Sequence, residues 1–221
     1  MAHGLVCLQG GAEFGAACRD MDAEVLARTP VGPVVVVPAA AEGPGAYAQA
    51  GRNASRWFGR LGADQVAVAP DPAEDPAAAA DVIAQAALVA LPGGSPSRLL
   101  DALTGPAGDA VRDVWAGGAT LWGASAGAMV LCASTVLPDR GRRVVDGLGV
   151  VPGLALPHFA GEDRFGLELP AGTPRWGLPE CGGVLLEHDT VRAVGAGEPV
   201  LLLDDTREVL PRGTGRMVPT D

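Results

Sequence analysis

Gly123-Ala124-Ser125-Ala126-Gly127 sets one hydroxyl between two residues that carry no side chain. The apolar run Ala119-Thr120-Leu121-Trp122 leads into it and Ala128-Met129-Val130 leads out. A G-x-S-x-G pattern between a short strand and a helix is that of a nucleophile elbow, a sharp turn that lifts the serine above the end of a sheet. The glycines let strand and helix cross closely, and the unpaired N–H groups of the helix start favour negative charge developing near Ser125. The chemistry this implies is covalent catalysis. A serine hydroxyl is a weak nucleophile alone, so the chain must also supply a base and a group that orients it. The same letters also fit a glycine-rich strand-to-helix turn without chemistry.

Three histidines are available as base. His3 lies at the N-terminus, where chains fray. His188 occupies the polar turn Glu187-His188-Asp189-Thr190, a solvated setting. His158 ends the apolar run Gly153-Leu154-Ala155-Leu156-Pro157 and precedes Phe159. Flanked by Pro and Phe at a strand end it is held and partly shielded, which suits a general base. For the orienting carboxylate, Glu180 stands among Gly177, Leu178, Pro179, Cys181 and Gly182, just before an apolar run, and reads as sheltered. Glu162 and Asp163 compete, but their Gly-Glu-Asp-Arg turn reads as exposed. The order Ser125, His158, Glu180 differs from the serine–acid–histidine order of α/β-hydrolases.

Composition narrows the class. At 221 residues and 22.2 kDa, a single catalytic domain over residues 1–221 is the expectation. The chain is 48% hydrophobic and only 4% aromatic, so Ala, Val and Leu must fill the core. No apolar run reaches membrane-spanning length and the first residues carry no signal-peptide pattern, so a cytoplasmic protein is expected. A net charge of −10 argues against nucleic acid as a partner. All 16 basic residues are arginine, which excludes a Ser–Lys dyad, a lysine Schiff base and a Walker-type phosphate loop. Cys7, Cys18, Cys132 and Cys181 show no CxxC spacing and read as buried thiols, and no metal or cofactor is expected.

The elements that must position these groups follow in order. Strands are expected at Leu5–Leu8, Val34–Val37, Val66–Val68, Leu88–Leu91 and 119–122. Helices are expected at 19–28, 44–62, 77–87, 95–102 and 107–115. This alternation predicts an α/β fold with a largely parallel sheet, whose ligands bind beyond the strand C-terminal ends. Gly93-Gly94 and Ser125 both fall at such ends. After Thr135, short strands at 184–187, 191–194 and 199–203 predict antiparallel hairpins completing one side of the same domain.

Together these blocks resemble the family of serine peptidases that includes peptidase E (aspartyl dipeptidase) and cyanophycinase. The likeness rests on Gly10-Gly11-Ala12-Glu13-Phe14, on Leu91-Pro92-Gly93-Gly94-Ser95 through Leu100, and on Gly123 to Ala128. Pro157-His158-Phe159 and Gly177-Leu178-Pro179-Glu180 complete it. The resemblance implies a three-layer fold like that of class I glutamine amidotransferases, flavodoxin-like, with a mostly parallel central sheet. It implies Ser125 as nucleophile, His158 as base and Glu180 as the group holding the imidazole. It also implies the N–H groups of Gly94 and Ala126 as the oxyanion hole. Three departures stand out: Ser95 where the family usually has Asn, Leu156 where cyanophycinases carry an acid, and an arginine run reduced to Arg164.

Those departures disfavour cyanophycin and leave a small peptide as the expected partner, with N-terminal aspartyl dipeptides the substrate the resemblance suggests. Without lysine, the cation for such an aspartate must be an arginine, and Arg98, Arg164 and Arg175 stand nearest the site blocks in sequence. A homodimer is compatible with this reading. The alternatives are an amidotransferase-like domain that binds without catalysis, and an α/β-hydrolase using Ser125, Asp163 and His188. A glutamine amidotransferase proper uses cysteine where this chain has Ser125.

Overall fold

The computed structural model describes residues 3–162, 165–167, 169–213 and 215–218. The first half alternates as expected: β1 (Val6–Gln9), α1 (Arg19–Arg28), β2 (Val34–Val36), α2 (Ala46–Leu61), β3 (Val66–Val68), α3 (Pro76–Ile83) and β4 (Leu88–Leu91). It continues with α4 (Pro96–Ala102), α5 (Pro106–Ala116), β5 (Thr120–Ala124) and α6 (Ala126–Leu131). Local chemistry explains the helix limits. Asp75 caps α3 by accepting Ala78 N–H at 2.9 Å, with Pro76 in the first turn. The helix stops at Ile83, short of the expected residue 87, because Ala87 N–H is already drawn to Pro33 O at 2.9 Å at the start of the β4 pairing.

The central sheet is mostly parallel. Strands β3, β2, β4, β5 and β1 lie side by side in that order, all parallel. Both faces are covered, so the strands read as unbroken apolar runs. Val34, Val36, Leu88, Ala90 and Trp122 face Met21 and Val25 of α1 and Trp57 and Phe58 of α2. Val35, Val89, Leu91 and Leu121 face Ile83 of α3, Leu99 of α4, Val111 of α5 and Leu131 of α6.

The second half is antiparallel in part, as expected, but divides differently. β6 (Ser134–Leu137) and β7 (Arg143–Asp146) form a ribbon of their own. β8 (Leu154–Pro157) and β9 (Arg175–Leu178) pair in parallel. β10 (Gly182–Glu187) and β11 (Thr190–Gly195) form the expected hairpin, and β10 joins the central sheet antiparallel to β1. β12 (Val200–Leu203) does not continue that hairpin. It pairs with β9 and with β13 (Thr206–Val209), making a separate sheet ordered β13-β12-β9-β8. β14 (Arg216–Met217) borders β11. Among the described residues no helix is long and apolar enough to cross a membrane.

One buried charge links the layers. Asp22 of α1, fully buried, accepts hydrogen bonds from Trp57 Nε1 of α2 and Trp122 Nε1 of β5, both at 2.8 Å. Burial lifts its carboxyl from 3.8 to about 6 against the pull of the two indole bonds, and nearby Glu13 adds to the rise. The folded state therefore holds a proton that the unfolded chain has already released, so this group's contribution to stability falls as pH rises through that interval. We expect the stability of wild type relative to Asp22→Asn to fall by about 2 kcal/mol from pH 4 to pH 7.5. Urea unfolding at the two pH values measures it, and a pH-independent difference would show that Asp22 does not titrate there.

Candidate active site

The elbow at the end of β5 is built by close backbone contact. A Cβ on Gly123 would fall 2.7 Å from the Gly127 carbonyl carbon, and one on Gly127 would fall 1.9 Å from Leu91 O. Only glycine lets α6 cross β5 and β4 at this distance. The turn forces Ser125 to φ 48° and ψ −106°, a conformation that costs a non-glycine residue about 1–3 kcal/mol. Ser125 N–H donates to Gln9 O at 2.9 Å, which ties the elbow to the end of β1.

The parallel pair β8–β9 delivers the other two groups at one end. Pro157 lies opposite Leu178, so His158 and Glu180 emerge side by side. His158 donates its main-chain N–H to Gly10 O at 2.8 Å, and Cys181 donates its own to Gly11 O at 3.1 Å. Ser125 Oγ lies 3.0 Å from His158 Nε2, and His158 Nδ1 lies 3.1 Å from Glu180 Oε1. An ionised carboxylate only accepts, so the neutral ring carries its proton on Nδ1 and offers Nε2 to the Ser125 hydroxyl. The structure thus brings all three residues together. Glu180 is not sheltered as expected: its side chain is 63% exposed and that of His158 36%. The Pro-Gly setting that reads as enclosed is a turn projecting the acid to the cleft rim.

The loop after β4 lies alongside. Gly94 adopts φ +139°, and a Cβ there would fall 2.2 Å from Ala40 O. No acceptor among the described residues takes the N–H of Gly94, and Ala126, the first residue of α6, also keeps its N–H unpaired. Ser95 caps α4 by accepting Arg98 N–H at 3.2 Å. Serine and asparagine serve almost equally as N-caps, so Ser95 can fill this position where the resemblance leads one to expect Asn.

Of the remaining candidates, those among the described residues make their contacts elsewhere. Arg98 donates to Asp71 Oδ2 at 3.0 Å and lines a cavity of about 620 Å³ with Ser95, Ser97, Asp101 and Arg140, next to the Gly93-Gly94 turn. Arg175 begins β9, at the opposite end of the strand from Glu180, and donates to Asp204 O at 2.8 Å. Arg164 and Asp163 lie outside the described residues. His188 is exposed in the β10–β11 turn; since Leu186 pairs with Val6 and Gly183 with Gln9, that turn is at the end of β1 away from Ser125. His3 lies tilted against Trp115, with ring centroids 4.3 Å apart. Cys7, Cys18 and Cys132 are buried, but Cys181, beside Glu180, is half-buried rather than buried.

Two features of the site carried no functional signal in the sequence. Three consecutive carbonyls, of Gln9, Gly10 and Gly11, fasten the elbow, the histidine and the acid turn. Glu13 accepts Gly93 N–H on Oε1 at 2.9 Å, although its motif marked only a glycine-rich loop.

With this geometry in hand, the comparisons define the class. Residues 15–168 match the profile of peptidase family S51. The chain belongs to that family and is a serine-type peptidase. The matched stretch contains Ser125 and His158 and ends before Glu180. Among solved structures, a peptidase from an acI-B1 Actinobacterium is similar with a TM-score of 0.83 and 22% identity, covering 98% of this chain and 97% of that one. A peptidase E protein of Listeria monocytogenes EGD-e is similar with a TM-score of 0.70 and 15% identity, covering 89% of this chain and all 100% of the other. At these identities the likeness is one of fold. No curated protein sequence matches the chain.

The site depends on a missing side chain at Gly11. A Cβ there would fall 2.3 Å from His158 Cε1 and 2.8 Å from Nδ1, at a φ of +132°. Gly11→Ala is expected to push the imidazole off Ser125 and slow fluorophosphonate acylation of the serine by about 10²-fold or more, the usual cost of an ångström-scale misplacement. Acylation at the wild-type rate would show that the ring is not seated over Gly11.

Proposed function

We propose that Ser125, His158 and Glu180 form a catalytic triad that hydrolyses short peptides through an acyl-enzyme. The observation carrying this reading is the unbroken chain from Ser125 Oγ to His158 to Glu180, at 3.0 and 3.1 Å, beside two unpaired N–H groups. Ser125 Oγ attacks the scissile carbonyl while its proton passes to His158 Nε2. The carbonyl oxygen, now negative, is held by the N–H groups of Gly94 and Ala126, where each donor is worth about 3–4 kcal/mol of barrier. The C–N bond then breaks, and the imidazolium gives its proton to the departing amine. Water attacks the ester, its proton returns through His158, and Ser125 leaves with its hydrogen restored. Glu180 keeps the ring in the required tautomer and steadies its positive charge. Dipeptides are the simplest substrates. Arg98 and Arg175 are engaged by Asp71 and Asp204 and Arg164 lies outside the described residues, so the reading commits to no particular first side chain, an N-terminal aspartate included.

Ser125→Ala should lower turnover by about 10⁴-fold or more with the fold intact, and a fluorophosphonate should modify wild-type Ser125 stoichiometrically. Because Glu180 is well solvated, its charge is screened. Glu180→Gln should therefore cost less than Ser125→Ala, roughly 10- to 10³-fold. Mass spectrometry of the labelled protein and initial rates on dipeptides measure both. Hydrolysis surviving Ser125→Ala, or no labelling of a folded protein, rejects the triad.

A further inference from the structure

The wall of the cleft toward α1 and α2 carries a charged group that the triad does not use. Glu13 stands between Ala12 and Phe14, both at positive φ, 57° and 64°. Such values at residues other than glycine need outside support. The Phe14 ring supplies it by stacking on Trp122 of β5 with centroids 5.8 Å apart, and the Cys18 thiol donates to Ala12 O at 3.2 Å. The loop is thereby clamped to the strand that carries Ser125. Since β5 lies between β1 and β4, Glu13 crosses the end of β5 to reach Gly93. A Cβ on Gly93 would fall 2.7 Å from Glu13 Oε1 and 3.1 Å from Ser125 Cβ, so carboxylate and nucleophile flank the same glycine. One N–H occupies one of about four acceptor positions of a carboxylate. Among the described residues Glu13 has no cationic partner.

Resting on the reading of Ser125 as nucleophile, we infer that Glu13 is the residue that receives the free α-ammonium group of a dipeptide substrate. The geometry of a peptide supports the pairing. Its α-nitrogen and the carbonyl carbon under attack are separated by one Cα, about 2.5 Å. A carbonyl seated at Ser125 with its oxygen toward Gly94 and Ala126 therefore brings an N-terminal ammonium beside Gly93. There it meets an anion already fixed in place, and bonds between two charged groups are roughly twice as strong as neutral ones. Asp22, on the same side of the sheet and close enough to interact with Glu13, adds negative potential. That potential favours an ammonium at this position and opposes a carboxylate.

Hydrolysis of a panel of dipeptides with free N-termini, and of the same dipeptides N-acetylated, tests the inference in wild type and Glu13→Gln by mass spectrometry. Glutamine keeps an acceptor for Gly93 N–H and removes only the charge. Wild type should prefer free dipeptides by about 10²-fold or more in kcat/KM. Glu13→Gln should raise KM for them by about tenfold or more, with a smaller change in kcat, and leave the acetylated set where it was. Equal cleavage of the two sets by wild type, or a parallel loss on both in Glu13→Gln, would reduce Glu13 to a prop for Gly93 and overturn the inference. So would a failure to cleave any free dipeptide while fluorophosphonate still labels Ser125. A folded protein that is not labelled removes the nucleophile itself, a separate failure.

Discussion

Three successive carbonyls at the end of β1 set the geometry of the whole site. Gln9 O holds Ser125 N–H at 2.9 Å, Gly10 O holds His158 N–H at 2.8 Å, and Gly11 O holds Cys181 N–H, next to Glu180, at 3.1 Å. The segments they fasten come from two different sheets. Without these bonds, the hydroxyl on β5 and the imidazole and carboxylate beyond β8 and β9 would have no common frame. The segment has to be almost free of side chains to do this. A Cβ on Gly10 would fall 2.2 Å from both Leu178 O and Pro179 O. Main-chain bonds of this kind are insensitive to the identity of neighbouring surface residues, so the cleft rim can vary while the reacting atoms stay in register.

Beneath this frame lies an aromatic cluster in an interior rich in Ala and Val. Trp122 meets Phe58 edge-on at 5.6 Å, Phe14 stacks on its other side, and Trp57 joins it in binding Asp22. Trp122 is three residues ahead of Ser125 on the same strand. A rigid indole fixed by a buried carboxylate gives the strained elbow something stiff to stand on, since a non-glycine residue at positive φ persists only where its surroundings over-determine it. The low aromatic content pointed to small aliphatic packing throughout. Instead, four of the nine Phe, Trp and Tyr residues gather beneath Ser125, while Trp176 and Trp115 pack with the face covered by α3 to α6.

What could be read from the sequence was whatever is encoded locally. The elbow is five residues long, each with a steric or electronic role of its own, and α1 spans the residues its pattern implies. The Asp75–Pro76 start of α3 is likewise a short-range signal. Relations between distant segments were not encoded this way. Residues 199–203 carry the same strand signal whether they extend the β10–β11 hairpin or pair with β9, and only packing decides. Arg98 and Arg175 stand beside site motifs in the chain, yet one is turned toward Asp71 and the other sits a full strand length away from Glu180. Glu13 is the converse: its neighbours read as a glycine-rich loop, and its contact with Gly93 spans 80 positions.

A domain that binds a small molecule without catalysis would share this fold, so the choice between the two readings turns on features that binding alone does not require. A binding loop has no use for a serine held at φ 48°, which costs stability. Nor does it need two N–H groups kept free of acceptors beside that serine. The exposed Glu180 points the same way. A carboxylate so well solvated contributes little to stability through its pairing with His158. Its value lies in direction, since it fixes which ring nitrogen faces Ser125. None of these features strengthens the folded state, and on the proposed reading each becomes useful when a carbonyl carbon arrives to be attacked.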